Sequence, residues 1–241
     1  MKFHSMLGLA GLLLLLTACQ TRSISNSDYG GQGNAFYSGE LSEYDVLGID
    51  RSGGFSEADI QKAAIQRRPI MLRRGASILL IQSGALIADP DMVLAMERYF
   101  TVSSFSGVPI KADTGFERTT PSVPYSQLFR MAAAKGGYDT VVVYWGMLES
   151  ASEGHATKAI SWVPIIGGIV PDETQHMRIR LLMAVIDVRT GQWETYSPEP
   201  FEDEALSNQH GRAASDQRQV MALKAKAYKA AADAIALRYI R

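Results

Sequence analysis

The run Val141-Val142-Val143-Tyr144-Trp145 constrains the fold of this chain more than any other feature. Three β-branched residues followed by two aromatic ones favour an extended strand over a helix. A strand with one face in water alternates apolar with polar residues, whereas an unbroken apolar run is typical of a central strand covered on both faces. We therefore expect an α/β domain built around residues 138–148.

Strand and helix patterns alternate along the rest of the chain. Short β-rich runs bounded by Gly or Pro predict strands, and capped segments with apolar residues three or four apart predict helices. In order, these are a short helix after Ser56, a strand at 78–81, a helix from Asp89, a strand at 101–105, a helix at 125–135, strands at 138–148, 177–188 and 193–197, and a helix from Asp216. We expect a single three-layer domain of the α/β (α+β) class, with a mixed sheet of about five strands flanked by helices.

The long C-terminal helix is predicted to pack on the sheet through an alanine-rich face, because small side chains allow close approach. The residues on this predicted face are Val220, Leu223, Ala227, Ala230, Ala234 and Leu237.

The first eighteen residues have the layout of a secretory signal. Lys2 supplies a positive charge, an apolar run extends from Met6 to Leu16, and small residues follow. The run is shorter than the roughly 20 apolar residues that a membrane-spanning helix needs. Residues 1–18 are therefore predicted to be a cleaved signal peptide.

The sequence Leu16-Thr17-Ala18-Cys19 resembles the lipobox of bacterial lipoproteins, in which the cysteine is acylated and becomes the mature N-terminus. Cys19 is the only cysteine, so an intramolecular disulfide is excluded. The resemblance implies a lipid anchor on Cys19. Because Gln20 rather than Asp follows, it also implies attachment to the outer membrane, facing the periplasm. A plain secretory peptide is the alternative.

Residues 19–42 are predicted to be a lipidated flexible tether, and residues 43–241 the folded domain. Residues 20–39 are mostly Ser, Asn, Gly, Gln and Thr. Such a composition buries too little apolar surface to offset the entropy cost of ordering. About 20 flexible residues reach roughly 25 Å on average and up to about 65 Å when extended.

The order of elements resembles the periplasmic α/β domain shared by the curli-secretion channel lipoprotein, the lipoprotein activators of penicillin-binding proteins and an exopolysaccharide-export lipoprotein. The resemblance is carried by residues 132–143, the turn from Asp187 to Gly191 and the final helix. It implies a protein that binds partners or assembles into rings. The long paired hairpins of a transmembrane barrel are not seen, so a pore is not expected.

Residue types that carry chemistry form no recognised motif. His155, His176 and His210 lack the HExxH spacing, and the sequence predicts no metal site and no cofactor. The formal net charge of −1 gives no reason to expect a nucleic-acid partner. An envelope hydrolase stays open as an alternative and would need a base close to Ser83, Ser106 or another hydroxyl.

An arginine-rich stretch is the first candidate contact surface. Arg67, Arg68, Arg73 and Arg74 bracket the residues Pro69-Ile70-Met71-Leu72. Guanidinium groups at this density could grip a phosphate or an acidic partner. The alternative is a solvated rim with local carboxylate partners.

An apolar segment at residues 160–171 is the second candidate, because loops are normally polar. We expect Trp162, Ile165, Ile166 and Ile169 to contact another subunit or a partner, since Pro and Gly residues interrupt any helix or central strand there. A lid over the domain's own core and a membrane-surface wedge are the alternatives.

These features together predict a membrane-anchored, non-enzymatic accessory or assembly factor of the cell envelope. It would act through protein contacts, with an envelope partner or in a homo-oligomer. Besides the hydrolase, a regulator of a peptidoglycan synthase stays open, for which a long tether would be the distinguishing feature.

Overall fold

The computed structural model describes residues 22–27, 37–51, 53–110, 123–153, 160–164, 175–205 and 212–241. For residues 150–153, 160–163, 175–176, 201–205 and 212–216 it describes the backbone alone. The predicted signal peptide, Cys19, Ile165, Ile166 and Ile169 lie outside the described residues.

The elements follow the predicted alternation of helices and strands. In chain order they are a 3-10 helix Ile24–Asn26, α1 Glu43–Leu47, α2 Glu57–Gln66, β1 Ser77–Gln82, α3 Pro90–Glu97, β2 Thr101–Phe105, α4 Tyr125–Gly136, β3 Thr140–Glu153, β4 Ile160–Pro164, β5 Gln175–Asp187, β6 Trp193–Tyr196, β7 Phe201–Ala205 and α5 Arg212–Tyr239.

The described strands join into one mixed sheet, which confirms the predicted fold class. Its main path has the order β2-β1-β3-β5-β6. β1 is parallel to β2 and β3, whereas β5 is antiparallel to β3 and β6. β4 pairs with the second half of β3, and β7 pairs with the first half of β5. These two strands lengthen the sheet at the end where β3 finishes.

Helices cover both faces of the central strands, which gives three layers. α3 and α5 pack on one face, against Ile78 and Leu80 of β1. α1 and α4 pack on the other face, against Leu79 and Ile81. The four residues from Val141 to Tyr144 have no exposed surface, as the unbroken apolar run predicts. Full burial of one such side chain contributes about 1.5–3 kcal/mol.

The predicted apolar face of α5 is confirmed in its first half and is wrong in its second half. Val220, Leu223 and Ala227 are buried, but Leu237 is 90% exposed. The buried residues in the second half of α5 are mostly four positions apart. This spacing places the rings of Tyr228 and Tyr239 against the sheet. The buried residues farther along α5 are Tyr228, Ala231, Ala232, Ile235 and Tyr239. No helix among the described residues is long and apolar enough to cross a membrane.

Two strands occur where loops were expected. Residues 160–164, the first part of the predicted apolar loop, form β4 beside β3. Pro164 is tolerated because it is the last residue of an edge strand, where a missing N–H costs little. Residues 201–205 form β7 within a stretch whose polar composition predicts turns.

Candidate functional site

Residues 22–27, which we call the strap, pack against an edge of β3. Ser23 forms an antiparallel bridge with Met147. The N–H of Leu148 donates a hydrogen bond of 3.0 Å to the carbonyl oxygen of Arg22. The strap therefore fills the gap along β3 between the end of β1 and Pro164, the last residue of β4, which pairs with Glu149.

The packing of residues 22–27 contradicts, at these positions, the flexible tether predicted over residues 19–42. Residues 19–21 and 28–36 of that range lie outside the described residues. Ile24 is only 2% exposed. It fits because Gly146 has no side chain: a Cβ there would lie 2.6 Å from Cγ2 of Ile24. The hydroxyl of Ser25 donates to the carbonyl oxygen of Ser83 at 2.5 Å. The buried side chain of Ile24 and the hydrogen bonds of the serines therefore order this segment, although its composition is typical of a disordered chain.

A partly buried polar network fastens the strap to two helices. The Lys224 ammonium donates to the carbonyl oxygen of Ile24 at 2.6 Å. The same ammonium lies 3.0 Å from a carboxylate oxygen of Asp89, which also accepts a hydrogen bond from the Tyr228 hydroxyl. Asp89 precedes α3 as predicted, but its side chain makes no capping bond there. Its carboxylate instead links α3, α5 and the strap.

Residues 37–41 also pack on the domain, so the tether prediction is wrong for them too. The hydroxyl oxygen of Ser83 accepts a hydrogen bond of 2.8 Å from the N–H of Leu41. The indole N–H of Trp145 donates to the carbonyl oxygen of Leu41 at 2.9 Å. Ser83 has no exposed surface. The Glu40 carboxyl lies beside the Ser83 hydroxyl, so a base is close to Ser83 as a hydrolase would require. The hydroxyl is nevertheless engaged by the N–H of Leu41 and closed off from solvent, so a substrate could not reach it.

A cleft of about 370 Å³ lies beside the strap. Trp145, Met147 and Leu182 give it an apolar lining, and Glu40 and Arg180 add charge. Burial is the main cause that raises the pKa of the Glu40 carboxyl above its ordinary value, and nearby hydroxyls partly oppose it. Arg180 is held by a carboxylate of its own sheet, since its Nε lies 3.3 Å from Glu149. The cleft is therefore mainly apolar. Burial favours the neutral form of its Glu40 carboxyl, and its Arg180 guanidinium is paired with Glu149.

Helix α2 is unusual because it buries none of its residues. The helix begins after Ser56 as predicted, and the structure shows a capping box there: the Ser56 hydroxyl accepts from the N–H of Asp59, and the Asp59 carboxylate accepts from the N–H of Ser56 at 2.8 Å. These bonds lower the pKa of Asp59. The predicted apolar stripe nevertheless faces solvent, with Ile60 51% and Ile65 85% exposed.

The four candidate arginines follow α2, and all four are exposed. Arg67 makes a long ion pair, 3.9 Å to Glu194. Arg74 lies over the ring of Tyr99. We call this part of the molecule the α2 surface. It consists of the exposed apolar residues Phe55, Ile60, Ile65 and Met71 together with Arg67, Arg68, Arg73 and Arg74.

The α2 surface and the strap lie at different levels along the sheet. The Gln192 amide donates to the carbonyl oxygen of Gln66 at the end of α2. Gln192 belongs to the turn after Asp187, which pairs with Thr140 at the start of β3. The strap bonds to Leu148, eight residues farther along β3 (148 − 140). At about 3.3 Å per residue the separation is roughly 26 Å along the strand direction.

Of the predicted apolar contact residues, the described part of the chain contains only Trp162. It lies on β4 in register with Ala151 of β3. The register therefore puts it toward the end of the sheet that is farther from α2.

Comparison with known proteins identifies the family of this chain. The search of curated proteins found no match. Among solved structures, the crystal structure of lipoprotein GNA1162 from Neisseria meningitidis matches with 12% identity and a TM-score of 0.27, over 63% of this chain and 99% of that chain. The model of the family described as YafT bacterial lipoprotein matches residues 42–238. The chain thus belongs to the YafT bacterial lipoprotein family.

Proposed function

We propose that this lipoprotein is a non-enzymatic accessory or assembly factor of the cell envelope, which binds an envelope protein through the α2 surface. It is anchored through Cys19 to the outer membrane and faces the periplasm. The observation that carries the proposal is that α2 leaves all ten of its residues unburied.

A helix of this length needs a partner. Isolated helices shorter than about 12–15 residues are marginal in water, and most helical stability in proteins comes from packing of an apolar face. α2 has the caps and the stripe of a packed helix, but the domain does not cover the stripe. An amphipathic helix that lays such a stripe into a groove of another protein is a recurring mode of recognition.

The chemistry of the α2 surface indicates the kind of partner. Ile60, with the small side chains of Ala63 and Ala64 one turn later, would enter an apolar groove. Ile65 is turned about 140° from Ile60 around the helix and would contact one wall of that groove. The arginines after the helix would meet carboxylates on its rim. The surface lies about 26 Å along the sheet from the strap, which leads to Cys19. A protein partner in the periplasm could therefore reach it.

The alternatives fit the described residues less well. A regulator of a peptidoglycan synthase would be distinguished by a long tether between the lipid and the domain. Arg22, which is already packed on β3, is only three residues after Cys19 (22 − 19), so the tether before the strap is short. A hydrolase at Ser83 would need that hydroxyl to be accessible. The resemblance to lipoproteins that bind partners or form rings supports a contact function, and a homo-oligomer through α2 is the second candidate.

The first prediction concerns capture of the partner. Changing Ile60→Ser together with Ile65→Ser removes the apolar stripe, so the variant should recover at least about tenfold less partner from cross-linked membranes, as expected when contacts worth more than about 1.4 kcal/mol are lost. The melting temperature should not change, because both side chains are exposed.

Leu237→Ser is the matched control, since Leu237 is also an exposed large aliphatic residue on a helix. It should leave capture unchanged. Equal recovery from the α2 variant and the control would show that α2 is not the contact surface. If the cross-linked product contains a second copy of this chain and no other protein, the contact through α2 forms a homo-oligomer.

A further inference from the structure

The short path from the lipid to the strap places part of the sheet at the membrane. Arg22 is fixed to Leu148 of β3, and Cys19 is three residues earlier in the sequence. Three residues span at most about 11 Å. The bilayer surface is therefore within about 11 Å of Arg22 once Cys19 is lipidated.

The direction of the strap decides which part of the domain comes closest. The bridge between Ser23 and Met147 is antiparallel. Followed backward from Ser23, the chain thus runs toward the end of β3, where β4 begins. Arg22, the described residue nearest to Cys19 in the sequence, therefore lies on the side of the strap that faces β4, away from α2.

The register sets the distances along this edge. Trp162 is paired with Ala151, three residues beyond Leu148. At about 3.3 Å per residue it lies roughly 10 Å farther along β3 than Arg22. This distance is about the full reach of the three residues that join Cys19 to Arg22. If the strands stand perpendicular to the membrane, Trp162 is therefore about as close to the bilayer as Cys19, or closer. If the strands lie parallel to the membrane, Trp162 is as far from the bilayer as Arg22.

We propose that the β3–β4 edge around Trp162 contacts the phospholipid headgroup layer of the membrane that holds Cys19. Tryptophan is enriched at this depth, because its ring is apolar and its N–H can bond to the wet headgroups. The proposal rests on lipidation of Cys19. It does not depend on the partner or on the α2 surface.

Quenching of tryptophan fluorescence by lipids tests the contact. The intact lipidated protein is placed in vesicles of phosphatidylethanolamine and phosphatidylglycerol that carry nitroxide-labelled phospholipid. Trp162→Phe should remove most of the lipid-dependent quenching. Trp193→Phe is the matched control and should leave it in place, because Trp193 pairs with Ile186, which pairs with Val141. That is seven residues before Leu148 (148 − 141), or about 23 Å along β3.

A second change tests the role of the short linker. A flexible spacer of Gly and Ser inserted between Thr21 and Arg22 should weaken the quenching of Trp162, because it lowers the effective concentration of the edge at the membrane. If Trp162→Phe does not fold, as judged by circular dichroism, Trp162→Tyr replaces it. Quenching that survives loss of Trp162, or that falls equally with Trp193→Phe, would overturn the proposal. Fatty-acid labelling of each sample separates failure of the anchor from failure of the contact.

Discussion

Changing Ile24→Asp should lower the free energy of unfolding by about 4 kcal/mol, because truncation of a buried isoleucine alone costs about 2–5 kcal/mol. The new carboxylate would also be buried beside Gly146. The Lys224 ammonium contacts residue 24 through its carbonyl oxygen, but it is already paired with Asp89. A flexible tether would show no effect of this substitution.

Thermal and urea unfolding of the mature chain from Gln20 onward measure the effect. For a domain of this size, about 4 kcal/mol corresponds to a fall in melting temperature of roughly 8–16 °C. Ile65→Asp is the control, since the same change at an 85% exposed position should alter stability by no more than about 0.5 kcal/mol. Equal melting temperatures for the two variants would mean that the strap is not part of the folded domain.

Changing Cys19→Ser should abolish incorporation of labelled fatty acid and move nearly all of the protein from the membrane fraction to the soluble fraction. Each buried methylene of an acyl chain contributes about 0.8 kcal/mol, and stable anchoring needs more than one chain. The variant should keep the wild-type melting temperature, because Cys19 precedes the strap.

Gln20→Asp provides the control for this experiment, because it leaves the acylated residue in place. It should retain the fatty-acid label and, by the sorting rule that the lipobox resemblance implies, change the membrane in which the protein accumulates. Acylation that persists in Cys19→Ser would show that the lipid is attached elsewhere.

The sequence predicts the central architecture well because burial on both faces leaves a strong local signal. The run 141–145 and the strand at 78–81 are apolar at every position, and both lie inside the sheet. The cap at Ser56 and the helix end at Gly136-Gly137 follow equally local rules, since Gly137 has φ +77°.

The strap and the exposure of α2 could not be predicted in the same way, because neither depends on local composition. A single isoleucine docks the strap, and the space for it is provided by Gly146, more than a hundred residues away. The stripe on α2 has the periodicity of a packed helix. Whether another element covers such a stripe is decided by tertiary structure. Leu237 shows the same limit, since a shift of one residue in periodicity turns it to solvent.

Site-specific photo-crosslinking in living cells tests most directly whether this lipoprotein works by binding a partner through α2. A photoreactive amino acid is placed at residue 65 of the intact lipidated protein, and at residue 237 as the control. The account predicts a discrete cross-linked envelope protein from position 65 and none from position 237. Cross-links from both positions to the same proteins, or none from position 65, would contradict it.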